Sequence, residues 1–394
     1  MIKLNHILIF LGFTMAFICC KPEGKSDQST TETESKTVLE DRFQYLLDYP
    51  ADAAGFPRSM SLEPQEIHKV PSKDWTSGFY PGNLWLIYQL NQNEDFKKKA
   101  MEWTSFMEDQ KSNDGTHDMG FKIYCSFGEG YKILQSEAYK NVILESAKTL
   151  STRFNEKVGS IRSWDFNKDI WDFPVIVDNM MNLELLFVAT QLSGDSTYHK
   201  IAVQHAKTTL KNHVRPDNSI FHVVDYDPIT GEINDQYTHQ GYSKESSWAR
   251  GQSWAIYGFT MAYRYTKNAD FLAQAEATTK FFLEHPNLPE DGIPYWDFND
   301  PAIPDAPRDA SAGAIVASAL LELYSITKNP DYLKYADKVL ASLNSESYLL
   351  DGSIKGPFIL NHSTGNWPKN DEIDEPIVYA DYYFLEALIR KKDL

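Results

Sequence analysis

Cysteine is nearly missing from this chain. Three of its 394 residues are Cys, and two of these, Cys19 and Cys20, sit side by side near the N-terminus. Cys125 stands alone in the remainder, which excludes an internal disulfide. Positive charge is also scarce. Against 55 Asp and Glu there are 38 Lys and Arg, a formal net charge of −17. That argues against nucleic acid as a partner, which requires a basic footprint. It leaves room for an anionic small ligand, because a site can be locally positive on an acidic protein. Metal signatures are lacking too: His117, His222 and His239 have no second His one helical turn away, and no Cys cluster exists. No glycine-rich phosphate loop or dinucleotide fingerprint occurs, so no cofactor is expected.

Aromatic residues, in contrast, are abundant, with 22 Tyr, 22 Phe and nine Trp. They suit a large core and the stacking of sugar rings alike. At the N-terminus Lys3 and His6 precede an apolar run from Ile7 to Ile18, too short to span a membrane comfortably and suited to a secretory signal. Ending at Cys19-Cys20, it is similar to a bacterial lipoprotein signal with Cys20 as the lipidated residue. Residues 1–20 are therefore expected to be a signal peptide. Residues 21–36, rich in Ser, Thr and Glu from Ser26 to Lys36, are expected to be a disordered tether. Residues 37–394 are expected to form one catalytic domain, exported and held at a bacterial cell membrane only through the N-terminal lipid.

From Thr37 onward the chain repeats one couplet: an almost wholly apolar helix rich in small residues, then a charged amphipathic one. Asp74 to Tyr88, a loop running into a buried helix, pairs with Asn93 to Gln110. Gly120 to Leu134 pairs with Glu137 to Arg153, and Val175 to Leu192 with Ser196 to Val214. Ser247 to Thr266 pairs with Ala269 to Glu284, and Ala310 to Thr327 with Pro330 to Leu343. The last apolar helix, Val378 to Arg390, lacks a successor, and the first helix, Thr37 to Tyr49, can supply it. Six buried and six amphipathic helices predict an all-α (α/α)6 barrel, a six-hairpin toroid. An open solenoid fits less well, because its ends need polar caps. The long connections, such as Gly159 to Pro174, Arg215 to Ser246 and Asn344 to Ile377, all precede inner helices and so gather on one face. Long ordered loops on a rigid scaffold usually carry function. Arg215 to Gly231 reads as a small β-hairpin inserted there.

Chemistry is expected at the inner-helix starts. Arg250, Gln252 and Trp254 lie in the first turns of a helix that otherwise buries itself, and a buried cation needs a partner. An anionic, ring-shaped ligand is one such partner, and an internal carboxylate is the alternative. Asp118 lies in Thr116-His-Asp-Met-Gly-Phe, where a helix N-cap is the competing reading. Asp178 follows Val175-Ile-Val and is expected inside the first turns of its helix, where an unpaired Asp would be expelled unless it had a function. Asp74, Asp309 and Asp381 are expected to be caps or loop partners.

Six pieces of the chain carry a resemblance: Trp75-Thr-Ser-Gly-Phe, His117-Asp-Met-Gly-Phe, Asp178-Asn-Met-Met-Asn-Leu-Glu, Thr238-His-Gln-Gly-Tyr, Ser247-Trp-Ala-Arg-Gly-Gln-Ser-Trp-Ala-Ile-Tyr-Gly and Asp309-Ala-Ser-Ala-Gly. In this order they resemble the unsaturated glucuronyl hydrolases of glycoside hydrolase family 88. The resemblance implies the same barrel. It also implies a substrate made by a polysaccharide lyase, an oligosaccharide ending in a 4,5-unsaturated uronic acid, cleaved by hydration of the C4=C5 bond without a metal. It casts Asp178 as general acid and base and Asp118 as the second essential carboxylate. Trp75, His117, His222, Thr238, Gln240, Arg250 and Trp254 become substrate-binding residues, with Arg250 on the uronate carboxylate. Ulvan and glycosaminoglycan fragments are the first substrates expected. The alternatives are an unsaturated rhamnogalacturonyl hydrolase, a sugar epimerase and a non-catalytic glycan-binding lipoprotein.

Overall fold

The computed structural model describes residues 27–394, so the expected signal, with Cys19 and Cys20, lies outside the described residues. In chain order the helices are α1 (Asp27–Asp48), α2 (Phe79–Asn91), α3 (Glu94–Ser105), α4 (Glu129–Leu134), α5 (Glu137–Ser151), α6 (Asn179–Ser193), α7 (Ser196–Asn212), α8 (Ala249–Thr266), α9 (Ala269–Leu283), α10 (Ala310–Thr327), α11 (Pro330–Leu343) and α12 (Val378–Lys392). A π-helical stretch, Gly120–Gly128, leads into α4.

Helices without charge to face solvent go inside. On α8 every residue from Ala249 to Ala262 is buried, and on α10 every residue from Ala310 to Leu321. The inner ring runs α2, the π stretch with α4, α6, α8, α10, α12 and back to α2, each packed on the next, which closes the toroid. Close approach depends on missing side chains. A Cβ on Gly258 would come within 2.5 Å of Met180 on α6, and one on Gly82 within 2.6 Å of the Cys125 carbonyl. The outer helices α3, α5, α7, α9 and α11 each pack on the inner helix before them. Helix α1 completes this layer against α2 and α3. Buried Arg42 ties it to the approach to α12, donating to the carbonyls of Phe358 (2.9 Å), Asp351 (3.0 Å), Ile354 (2.6 Å) and Gly356 (2.6 Å).

Inner and outer helices of a hairpin join through a two-residue turn. The first residue is left-handed, as at Gln92 (φ 58°), Gly194 (φ 77°), Lys267 (φ 55°) and Lys328 (φ 60°). The second caps the outer helix: Asn93, Asp195, Asn268 and Asn329 each accept the backbone N–H two residues on. The other ends are joined by long loops that hold every strand: β1 (Phe56–Leu62), β2 (Gln65–Val70), β3 (Phe154–Asn155), β4 (Ser160–Ile161), β5 (Pro174–Ile176), β6 (Val223–Tyr226), β7 (Ile233–Tyr237), β8 (Ser363–Asn366) and β9 (Asp371–Glu375).

Three expectations about elements change. The β-branched run Val175-Ile-Val does not open α6. Pro174–Ile176 is a strand, β5, paired antiparallel with β6 in a β5-β6-β7 sheet, so Asp178 moves from inside the helix to its N-cap. The inner helix expected from Gly120 is wound as π for its first part, and the Phe121 N–H, which has no intrahelical partner so near the start, donates to Asn182 Oδ1 of α6 (2.9 Å). Finally, α1 starts at Asp27, inside the stretch expected to be a tether. Its Ser, Thr and Glu residues do not bar a helix once the chain beyond them is anchored.

Candidate active site

The inner-helix N-termini and the long loops enclose a cavity of about 770 Å³. Nearly every inner helix brings one residue to it: Trp75 just ahead of α2, Asp118 ahead of the π stretch, Asp178 at the cap of α6, Arg250 on α8 and Tyr379 on α12. The Trp75 and Tyr379 rings pack at 5.0 Å with their planes tilted by 33°, Phe121 lies 5.4 Å from Trp75, and the three form an aromatic floor.

The two carboxylates are held differently. Neither caps its helix. Asp118 has both oxygens engaged: Oδ1 lies 3.1 Å from His117 Nε2, and Oδ2 accepts from the Thr116 hydroxyl (2.6 Å). Burial pushes its carboxyl up, but His117, the Thr116 hydroxyl and the charge of Lys122 outweigh burial and hold it below the usual carboxylate range. Lys122 itself is fully buried, with Gln110 Oε1 at 3.3 Å, and burial brings its ammonium down to about 8 against the pull of Asp118 and Asp74.

The Asp178 carboxylate accepts no hydrogen bond from any described residue, and the side chain is 13% exposed. Its Oδ2 faces His222 Nε2 at 3.5 Å. The His222 ring is oriented from behind: the N–H groups of His239 (3.3 Å) and Gln240 (3.1 Å) both donate to its Nδ1. Nδ1 therefore carries no proton, and the neutral ring keeps its hydrogen on Nε2, aimed at Asp178. Trp248 packs on the ring at 4.8 Å.

Among the residues expected at the site, Trp75, His117, Asp118, Asp178, His222, Gln240 and Arg250 line the cavity together. Two do not. Trp254 is fully buried one helical turn below Arg250, with Phe121 and Tyr383 each 5.4 Å from it. Thr238 is buried in the loop, donating to the Ser246 carbonyl (2.8 Å) and accepting from Arg215 (3.0 Å). It braces the turn that delivers the His239 and Gln240 N–H groups.

Arg250 borders the cavity and is held by protein partners on three of its five N–H donors: Nη1 pairs with Asp309 (2.8 Å) and the Thr364 carbonyl, Nη2 with the Gly365 carbonyl, and Trp248 lies 4.5 Å under it. The internal carboxylate, the alternative left open by the sequence, is its partner. Asp309 also caps α10 through the N–H groups of Ser311 and Ala312. Arg250 thus fastens β8 to the ring and sets Gly365 and Asn366 at the cavity edge.

Other cavity residues had no sequence signal. Arg58 on β1 bridges Glu372 on β9 (2.7 Å) and Asp74 (3.1 Å). A contact between positions 314 apart cannot be read from local pattern. Tyr379 did have one: it occupies the same early turn of its inner helix as Arg250 does on α8.

Fold and cavity together define a barrel that holds one committed and one free carboxylate over an aromatic floor, apparatus for acid–base chemistry on a sugar. The family model for Glycosyl Hydrolase Family 88 matches residues 56–287. The chain is 65% identical to an unsaturated glucuronyl hydrolase of Formosa agariphila, over 100% of this chain and 99% of that protein. Its fold matches the crystal structure of an unsaturated glucuronyl hydrolase specific for heparin with a TM-score of 0.88 and 41% identity, covering 93% of this chain and 97% of that one. It also matches a variant of the Streptococcus agalactiae unsaturated glucuronyl hydrolase complexed with dGlcA-GalNAc6S (TM-score 0.75, 30% identity, 92% of each chain). The chain belongs to glycoside hydrolase family 88, and is an enzyme acting on unsaturated uronyl oligosaccharides.

Proposed function

We propose that the cavity takes the 4,5-unsaturated uronic acid at the non-reducing end of a lyase-generated oligosaccharide and that Asp178 is the proton donor. The observation that carries the assignment is the contrast in hydrogen bonding. Asp118 accepts a short hydrogen bond from the Thr116 hydroxyl and has His117 Nε2 3.1 Å from its other oxygen, whereas the Asp178 carboxylate has only His222 Nε2, at 3.5 Å, and opens into the cavity. A group that must give up and recover a proton has to be free to do so. Protonated Asp178 delivers its proton to C4. Positive charge then develops at C5, where the ring oxygen shares it. Water adds at C5 and returns a proton to the Asp178 carboxylate, so one residue serves as acid and then as base. The hydrated sugar opens and releases the remaining saccharide. Asp118 stays ionised, and its negative charge favours the cation that forms. Trp75 offers a ring face, and the Gln240 side-chain amide, bonded to no described residue, offers donors to sugar hydroxyls.

Exposed Lys244 and Lys369 at the cavity edge favour an anionic saccharide such as a sulfated ulvan or glycosaminoglycan fragment. Loss of ultraviolet absorbance from a panel of unsaturated oligosaccharides tests the reading, since hydration destroys the conjugated double bond. Wild type should bleach at least one panel member and Asp178→Asn none. Equal bleaching by both would remove Asp178 from its role. For the N-terminus we propose export and lipidation at Cys20, on the strength of Lys3, the Ile7–Ile18 run and the Cys pair. Labelled palmitate incorporated by wild type but not by Cys20→Ser would support it, and equal labelling would refute it.

A further inference from the structure

The wall of the cavity formed by the loop before β5 exposes apolar side chains without apparent need. Phe166 is 59% exposed and Ile170 60%, and both line the cavity. Large exposed apolar groups at the rim of a pocket mark a binding surface more often than chance. Here they are braced. Phe166 stacks on Trp164 (5.3 Å, 13° between planes), Trp164 packs edge-on against Trp171 (5.0 Å, 72°), and Trp171 packs edge-on against His239 (5.1 Å, 89°). The Trp171 indole N–H donates to the Tyr237 hydroxyl. Between the two stacked rings, Asp165 turns the other way, away from the cavity and into a pair of arginines. Its Oδ2 lies 2.7 Å from Arg153 and its Oδ1 3.1 Å from Arg162. Beyond Phe166, the N–H groups of Ile170 and Trp171 both donate to the Asn167 carbonyl (2.9 and 3.1 Å), and Asn167 is left-handed (φ 50°). The loop is thus pinned from behind while its aromatic side is left bare.

We infer that Phe166, backed by Trp164 and flanked by Ile170, is a platform for sugar rings of the leaving saccharide that lie beyond the first one after the cleaved bond. The inference rests on the proposed reaction, in which Asp178 acts deep in the cavity and the saccharide runs outward past the rim. A flat apolar face favours the C–H side of a pyranose, and a pre-braced ring loses little freedom on binding. The enzyme therefore selects for length: an unsaturated tetrasaccharide binds better than the disaccharide of the same polymer.

The test compares KM and kcat for unsaturated di- and tetrasaccharides of one polymer that the wild type bleaches. For Phe166→Ala, KM for the tetrasaccharide should rise by roughly 3- to 10-fold, the effect of one lost aromatic contact, with kcat unchanged and the disaccharide within about twofold. Asp165→Asn, which loosens the loop and leaves the rings in place, should show a smaller shift in the same direction. Equal KM values for both lengths in the wild type overturn the inference. So does an equal loss on both lengths in Phe166→Ala, or a change in oligomeric state with no length-dependent effect, which would make the patch a contact between copies. Failure to bleach any saccharide would strike the proposed reaction instead.

Discussion

The two ends of the barrel put short Asn and Asp side chains ahead of helices for opposite purposes. At the tight-turn end, Asn93, Asp195, Asn268 and Asn329 start outer helices, and each gives its side-chain oxygen to a backbone N–H. At the loop end, Asp118 and Asp178 also precede helices, yet neither caps. An oxygen committed to a backbone donor lowers the energy of the fold and is lost to chemistry. One left uncommitted costs the fold a cap and remains available to a substrate. Asp309 shows the intermediate case: it caps α10 and holds Arg250 as well.

Substitutions can break or sharpen that contrast, and we order them by expected effect. Asp178→Asn should abolish turnover, by roughly 10²- to 10⁴-fold or more, with the urea midpoint unchanged, since no described residue bonds to it. A large loss of stability would instead make Asp178 a structural group. Arg250→Ala should act the other way and destabilise by about 3–5 kcal/mol, because it leaves Asp309 buried without its partner; chemical denaturation reads this directly. Were stability unaffected and only KM raised, Arg250 would be a ligand contact after all. His222→Gln should lower kcat by about 10- to 100-fold through misplacement of Asp178, with a smaller change in KM, as steady-state kinetics on the best saccharide would show. At the tight-turn end Asn268→Ala should cost ~1 kcal/mol and leave kinetics alone; any change in kcat would contradict the division between the two ends.

A separate prediction concerns pH. Lys122 titrates near 8 in the folded chain and at the ordinary lysine value of 10.5 when unfolded. Between those values the unfolded chain holds a proton that the folded one lacks, so this residue makes stability rise with pH across the window. The urea midpoint of wild type minus that of Lys122→Met should therefore increase from pH 8 to 10. A flat difference would mean that the buried ammonium is not perturbed.

Much of the barrel was legible in the sequence. Whether a helix is buried all round or on one face is written in its own residues, because a 3.6-residue period exposes every position in turn. The alternation of the two kinds therefore determined six hairpins, a closed ring and loops on one face. The stretch Ala310 to Thr327 needed no correction at either end, for it has Asp309 to cap it and only small and apolar residues from Ala310 to Leu321. The start of α6 was misplaced because Val175-Ile-Val reads equally well as buried helix or strand, and its partner β6 lies almost fifty residues away.

The same division holds for the site. Asp118 and Asp178 stood out in the sequence by their place at inner-helix starts, whereas Trp75 and His222, the latter in the loop before β6, were expected through the resemblance to family 88. What each one does there was decided by the closure of the ring. Arg250 meets Asp309 and the carbonyls of Thr364 and Gly365 across 59 to 115 positions of chain, and Trp254 packs on Phe121 from more than a hundred positions away. A cation's partner, and whether a carboxylate oxygen is taken or free, depend on distances between segments that no local pattern encodes. The sequence by itself determined the scaffold and the chemical groups it carries; only the tertiary structure decided which of those groups were left free to react.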